Sequence, residues 1–253
     1  MRQLNYSKIR RSTQADLRKY ERIGVKMFTD ALKLQAVPNP SPLPMQDAYV
    51  KFYQVVFVES AKKEYNRIRQ DNREKNFVPD DFFLNTWREW IKDWVINNLG
   101  QLIFDVNANT DRQIKEIVAQ GLEDGLNPFQ IQALLTDLIP NQARARAIAR
   151  TESTRGYNEG KKRSAQDWAN QTGTSLWKIW IHGGAKEPRI EHIQLQDKPI
   201  RADQPFLVGP NNIPMDKPGD FEGGAAQTVN CGCVVVYVSE SYARRNFPDT
   251  FQD

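Results

Sequence analysis

The sequence predicts an α+β protein. We expect an extended, mostly helical N-terminal half and a compact C-terminal domain with one long helix and a small β-sheet. Apolar residues recur at three- and four-residue steps through most of the chain up to Asn170, which is the period of amphipathic helices. Short apolar runs separated by Gly- and Pro-rich loops then follow at Leu176–Ile181, Arg201–Leu207 and Val234–Val238, a pattern that favours strands.

The first predicted helix spans Ser7–Gln35, and a proline-rich run at residues 37–44 ends it. Every second residue from Pro38 to Pro44 is proline. Because proline lacks a backbone N–H and fixes φ, this run cannot continue a helix and favours extended polyproline geometry. It therefore predicts a linker, and helix is expected to return from Gln46 to about Asn72.

Tryptophan marks the next predicted helix, Pro79–Leu99. Trp87, Trp90 and Trp94 lie at three- and four-residue steps, so they share one helix face. Such a stripe fits ordinary core packing. The alternative is a surface that faces a partner, because an isolated helix exposing three indoles would need to bury them. Gly100 is expected to end this helix.

Three further helices are predicted from their start signals. A capping-box pattern at Thr110–Gln113 starts the first, and Asn127 followed by Pro128 starts the second. The third is a long helix over residues 141–170. We divide the chain into a helical docking region at 1–104, a second domain at 105–240 and a C-terminal tail at 241–253.

Composition excludes several classes of protein. The chain has 253 residues, of which 26% are charged and 40% hydrophobic, and a mean hydropathy of −0.66. No run approaches the roughly 18 consecutive apolar residues of a membrane-spanning helix, and the first residues lack the apolar core of a signal peptide. Two cysteines separated by one residue do not form a disulfide framework. We therefore expect synthesis in a reducing cytoplasm.

Charge is distributed unevenly along the chain. Residues 1–75 contain 16 Lys and Arg against 8 Asp and Glu, a net charge of +8, whereas the remaining residues carry −4. This excess fits a solvated helical surface, and it also fits an electrostatic dock for DNA or an acidic protein. Binding to DNA would need a continuous basic helix face, which Asp16, Glu21 and Asp30 are expected to interrupt. The candidate partner-binding residues are Arg10, Arg11, Arg18, Trp87, Trp90 and Trp94.

Glu152 is the carboxylate that stands out in the long predicted helix. It shares a face with apolar residues, so it is expected to be partly buried and to need a partner. Arg155, three residues on, is a local candidate, and Arg189 and His192 are long-range ones. We expect a structural ion pair, with a general acid/base or a metal ligand as the alternatives.

Both histidines and both cysteines lie between His182 and Cys233. Thiolate and imidazole are standard zinc ligands, but the spacing fits no common zinc finger. A metal site, if formed, would use His192, Cys231 and Cys233, with Glu187 or Asp220 as a further ligand. The alternative, which we favour, places both cysteines on one face at the start of a strand, with His192 hydrogen-bonded nearby. A catalytic thiol would need an orienting third residue, and the sequence indicates none. We therefore expect no catalytic residue and no cofactor.

The motifs in the C-terminal hundred residues follow a fixed order. An Arg-Thr-Glu run on a helix precedes a short strand, an Arg-x-x-His run, a Pro-Gly-Asp turn and Asn-Cys-Gly-Cys. In this order they resemble the C-terminal domain of the Mu F-like family of phage minor head proteins, over about Asp105–Val238. Gly232 departs from the family, which usually has arginine between the cysteines. The motif residues are Arg150, Thr151, Glu152, Arg189, His192, Asp220, Asn230, Cys231 and Cys233.

The resemblance implies a structural protein without enzymatic activity. Such a protein would be carried in the virion head in multiple copies, associate with the portal and other head proteins, and act in head assembly and in DNA packaging or ejection. Contact with packaged DNA is left open. Two alternative functions are also consistent with the sequence. One is a metal-dependent hydrolase or nuclease that uses Glu152, His192, Cys231 and Cys233, and the other is a DNA-binding packaging accessory.

Overall fold

A computed structural model describes residues 5–35, 43–71, 80–124, 126, 130, 134, 142–184 and 187–251. Long helices dominate, as the sequence predicts. None of the helices in these ranges has an apolar stretch that could cross a bilayer. The four long helices are α1 (Tyr6–Gln35), α2 (Leu43–Asp71), α3 (Asp80–Glu123) and α4 (Gln142–Thr172).

The C-terminal part adds short strands and short helices around the end of α4. The strands are β1 (Leu176–Ile181), β2 (Ile200–Arg201), β3 (Phe206–Val208), β4 (Ile213–Met215) and β5 (Val234–Ser239). The helices are α5 (Ile190–Gln194), α6 (Gly224–Thr228) and α7 (Glu240–Asn246), with 3-10 turns at Phe221–Gly223 and Pro248–Phe251. The predicted α+β class is confirmed.

The strands form two small antiparallel sheets. In the first, the order is β2-β1-β5, and β1 pairs with β5 along its whole length, from Leu176 opposite Ser239 to Ile181 opposite Val234. β3 and β4 form a separate hairpin. The predicted run Arg201–Leu207 is therefore divided between two sheets.

Side chains of α2 and α4 bind the outer edge of β5. The Asn158 amide accepts from the Val235 N–H at 2.9 Å and donates to the Cys233 carbonyl at 3.1 Å. Two residues further along, Glu64 accepts from the Tyr237 N–H at 3.1 Å. The backbone groups on this edge are thus paired with helix side chains.

The core sits where α1 and α2 pack along α4. Glycines allow this close approach. A Cβ at Gly160 would lie 2.4 Å from the Phe57 carbonyl oxygen of α2, and one at Gly24 would lie 2.8 Å from the Ala149 Cβ. Because α4 also packs against β5, the N-terminal helices and the C-terminal sheet share one helix as their common support.

The tryptophan stripe of α3 packs against α2 rather than facing a partner. Trp87 is 1% exposed and donates to Asp167 of α4 at 2.7 Å, so its assignment as a partner-binding residue is wrong. The half-buried Trp90 ring stacks on Phe57, and the half-buried Trp94 ring lies 5.3 Å from that of Tyr53. Core packing explains the stripe.

Three predicted helix boundaries differ from the structure. α3 runs without a break through Gly100 and Thr110, so Gly100 does not end a helix and the capping-box pattern does not start one. The predicted domain boundary at 104/105 therefore falls inside this helix. A glycine costs a helix only about 1 kcal/mol, which the turns on either side can offset. α2 begins at Leu43 rather than Gln46, because proline is tolerated in a first turn, where its missing N–H would be unpaired anyway. The linker at residues 37–42 and the helix start at Asn127 lie outside the described residues.

Candidate functional site

The Cys-Gly-Cys segment leads into β5, and side chains from two helices hold its backbone. Each of its three carbonyl groups accepts a hydrogen bond. Cys231 accepts from the Thr154 hydroxyl at 2.5 Å, Gly232 from the Gln14 amide at 3.1 Å, and Cys233 from the Asn158 amide at 3.1 Å. Thr154 and Asn158 belong to α4 and Gln14 belongs to α1, so the segment is fixed from both sides.

Both cysteine sulfurs lie beside one imidazole. The Nδ1 atom of His192 is 3.7 Å from the Sγ of Cys231 and 3.5 Å from that of Cys233. All three side chains are buried, with exposures of 2–4%, and their ligand atoms lie within 4.8 Å of one another. The prediction that both cysteines face one side next to His192 is confirmed.

The two thiols are chemically distinct because one donates to the other. A hydrogen bond from Cys231, helped by one from His192, outweighs burial and holds the pKa of Cys233 well below its usual value. The same hydrogen bond, together with burial, raises the pKa of the Cys231 thiol. Cys233 is therefore the more acidic of the two thiols.

His192 is placed by the short helix α5 and by the residue that precedes it. Arg189 donates from Nε to the Ala226 carbonyl at 2.6 Å and from Nη2 to the Val229 carbonyl at 2.8 Å, which ties the start of α5 to the C-terminal end of α6, just before the cysteines. The imidazole lies 4.9 Å from the Trp180 ring of β1, centroid to centroid. Its Nε2 atom is buried and has no hydrogen-bond partner among the residues that the structure describes, whereas both sulfurs lie on the Nδ1 side.

The cluster lines a cavity of about 390 Å³. His182 and Glu187 line the same cavity but lie outside the group of three ligand atoms. Asp220 does not line it. This residue instead caps the 3-10 turn at Phe221–Gly223 and accepts from the Asp216 N–H at 2.8 Å.

Glu152 forms the buried ion pair that its helix position predicts. Its carboxylate lies 2.7 Å from Arg155 and accepts from the Tyr53 hydroxyl of α2 at 2.5 Å. Arg155 also donates to the Gly219 carbonyl at 3.0 Å and lies over the Phe221 ring. The local partner is thus the right one, and the long-range candidates, Arg189 and His192, are wrong.

Three other motif residues play different parts. The Thr151 hydroxyl accepts from the Asn230 N–H at 3.2 Å, and Asn230 adopts a left-handed backbone with φ of 56°, a conformation that asparagine tolerates better than most residues. Arg150 points away from the cluster and pairs with Glu21 of α1 at 3.1 Å, half-exposed. It therefore joins α4 to α1 and takes no part in the site.

Sequence reasoning missed three residues that hold the segment, namely Gln14, Thr154 and Asn158. Two of them carried a readable signal. Thr151, Thr154 and Asn158 follow one another at steps of three and four, so they form a polar stripe on a buried face of α4. Buried polar groups need hydrogen-bond partners, and loop carbonyls supply them here. No spacing in the sequence linked Gln14 to the cysteines.

The arrangement suits structure or metal binding better than covalent catalysis. A Cys–His pair acts as a nucleophile and base when a third group orients the imidazole. The ring nitrogen that such a group would bind, Nε2 of His192, has no hydrogen-bond partner among the described residues. The geometry therefore does not assemble the three-residue set that this chemistry uses.

Comparison with known proteins gives one family and one relative. Residues 112–236 match a family model described as phage Mu protein F like protein. Over 188 residues, or 73% of the chain, the sequence is 26% identical to the uncharacterized protein YqbB of Bacillus subtilis (strain 168). The match spans 59% of that relative's length. No solved structure matches significantly.

Proposed function

Because residues 112–236 belong to the Mu F-like family of phage proteins, we propose that this protein is a minor head protein carried in the virion and that it acts in head morphogenesis. The observation that carries the proposal is the position of the family match, which runs from the end of α3 through α4 to β5. It includes the Glu152–Arg155 ion pair and the cluster of His192, Cys231 and Cys233. The motif residues mostly bind backbone groups and one another, which fits a rigid structural module.

A basic face on α1 supports association with an acidic partner, which we propose to be the portal. Its residues lie within about one quarter of the helix circumference at 100° per residue, and from Lys8 to Lys33 they cover about 38 Å at 1.5 Å per residue. All six are exposed. They are Lys8, Arg11, Arg18, Arg22, Lys26 and Lys33.

The acidic residues of α1 do not interrupt this face, contrary to the expectation from the sequence. Asp16 and Glu21 turn inward, where Asp16 pairs with Lys63 at 2.6 Å and Glu21 pairs with Arg150. Asp30 is exposed but lies to one side of the basic row. Arg10, which was also expected at the partner surface, is half-buried and donates to Gln196. Arg11 and Arg18 remain as the surface candidates from the predicted set.

DNA is a second candidate partner for the same face, because six cations in a row without an exposed acidic residue among them also suit a phosphate backbone. The two partners differ in salt dependence. Binding to duplex DNA falls steeply with added salt, with a slope in log K of about −0.9 per phosphate neutralised. Docking on a protein through charges at the rim of an interface weakens more gradually.

Charge reversal tests the proposal without unfolding the protein. Deleting α1 would remove core residues such as Tyr20 and Phe28, so a truncated chain would not report on the surface alone. We propose Arg18→Glu combined with Arg22→Glu. The matched control is Arg88→Glu combined with Lys92→Glu on α3, where two exposed cations have the same four-residue spacing.

The α1 variant should lose incorporation into heads and co-purification with the portal protein of the same phage, and the α3 control should keep both. Normal incorporation of the α1 variant would show that the docking surface lies elsewhere. Loss of duplex DNA binding with a steep salt slope, and with portal binding unchanged, would favour the DNA-binding packaging accessory.

A further inference from the structure

We propose that His192, Cys231 and Cys233 bind one Zn²⁺ ion through three protein ligands, with the fourth coordination position open to the adjoining cavity. The spacing in the sequence argues against a metal, because the two cysteines are too close together for a common zinc finger and the histidine lies 39 residues before Cys231. In the folded protein, however, α5 places the imidazole next to the two sulfurs, so the long separation in sequence does not prevent a shared metal site.

The distances fit tetrahedral zinc. Bond lengths of about 2.3 Å for Zn–S and 2.0–2.1 Å for Zn–N, at tetrahedral angles, place a sulfur and a nitrogen about 3.6 Å apart. The two distances from His192 Nδ1 to the sulfurs are 3.5 and 3.7 Å. Both nitrogen-to-sulfur distances are therefore those expected for a shared zinc ion, and all three ligand atoms lie within 4.8 Å of one another.

The surroundings of the cluster hold these ligands in place. Hydrogen bonds to the carbonyl groups of residues 231–233 fix the backbone from which both thiols extend. The Cys233 N–H donates to the Cys231 sulfur at 3.4 Å, which helps to orient that sulfur. Supporting groups of this kind orient metal ligands and raise affinity.

The identity of the ion follows from its ligands. Thiolate and imidazole together favour Zn²⁺ over Mg²⁺ or Ca²⁺, which prefer oxygen. Three protein ligands beside a cavity leave room for a water molecule as the fourth. Asp220 is not placed to contribute, because it caps the neighbouring 3-10 turn.

Elemental analysis of the purified full chain, expressed with zinc and without chelators, is the direct test. We expect about one zinc per chain. Cys231→Ser, Cys233→Ser and His192→Ala should each lower that content at least about tenfold. The matched control is His182→Ala, which removes the other histidine of the chain from the wall of the same cavity and should leave the zinc content unchanged. Equal loss of zinc from His182→Ala and His192→Ala would overturn the three-ligand site.

A second measurement needs no variant, in case the substitutions prevent folding. Wild-type protein stripped with a chelator and titrated with Co²⁺ should develop a thiolate-to-cobalt charge-transfer band that saturates at about one ion per chain. Added Zn²⁺ should abolish the band and raise the melting temperature of the stripped protein. Folded wild-type protein that contains no zinc and gives no cobalt band would overturn the proposal.

Discussion

Lys161 and Glu64 form an ion pair in the core, where α4 packs on α2. Their Nζ and Oε2 atoms are 2.5 Å apart, and the two residues are 6% and 1% exposed. Glu64 also pairs with Arg67 at 2.8 Å and accepts from the Tyr237 N–H of β5. One carboxylate therefore joins the N-terminal helices to the C-terminal sheet.

Substituting Glu64→Gln should lower the free energy of unfolding by about 3–5 kcal/mol, because it leaves Lys161 buried without its counter-charge. Urea unfolding measures the change. The matched control is Glu59→Gln on the same helix, whose ion pair with Lys19 is 41–46% exposed and should contribute only about 0–1 kcal/mol. Equal decreases in the free energy of unfolding of the two variants would show that the buried Glu64 pair contributes no more than an exposed ion pair.

The same carboxylate predicts sensitivity to acid. Burial would raise the pKa of Glu64, but the charges of Arg67 and Lys161 outweigh it and lower the pKa from 4.5 to about 2. A lowered pKa in the folded state adds stability that is present above the unfolded value and is lost as the pH falls toward about 2. The stability difference between wild type and Glu64→Gln should therefore shrink below about pH 4.5. A difference that is constant between about pH 6 and 2 would contradict this.

Lys178 predicts that stability also rises with pH in the alkaline range. Its side chain on β1 is 1% exposed, and burial outweighs the attraction of Asp216 and lowers its pKa from 10.5 to about 8. The folded state then binds fewer protons than the unfolded state between these values, so stability should rise with pH across them. Relative to Lys178→Met, wild type should gain on the order of 2 kcal/mol between about pH 8 and 10. The exposed Lys198→Met should show no such gain.

Glu152→Ala should destabilise the protein by about 3–5 kcal/mol, because it leaves Arg155 buried without its counter-charge and Tyr53 without its acceptor. Arg150→Ala, two residues away, breaks only the half-exposed pair with Glu21 and should cost about 1 kcal/mol or less. Thermal melts compare the two. Coincident melts of wild type and Glu152→Ala would rule out a structural role for the pair.

The sequence predicted best where local pattern decides the outcome. The period of apolar residues located the long helices, and the three-residue step from Glu152 to Arg155 named the right partner because both lie on one helix. Residues far apart in sequence were harder. The approach of His192 to the cysteines depends on α5 and on Arg189, and the contact of Gln14 with Gly232 depends on how α1 packs on α4. Neither contact leaves a spacing signal.

The basic face of α1 also depends on contacts between residues far apart in the sequence. Their order in the sequence predicts that Asp16 and Glu21 interrupt the basic face of α1. Their side chains instead meet Lys63 on α2 and Arg150 on α4, which only tertiary packing could supply. Helical angles alone place Arg11, Arg18 and Arg22 in one row, and this part was available from the sequence.

The pairing of the outer edge of β5 restricts how copies of this protein can assemble. An unprotected edge strand presents free N–H and C=O groups that a strand from another chain can extend into a continuous sheet. Here the amide of Asn158 and the carboxylate of Glu64 already take the place of a neighbouring strand at Val235 and Tyr237. A second molecule cannot add a strand at this edge without first breaking buried hydrogen bonds. Two copies of the chain that meet at this edge are thereby protected from forming a continuous intermolecular β-sheet.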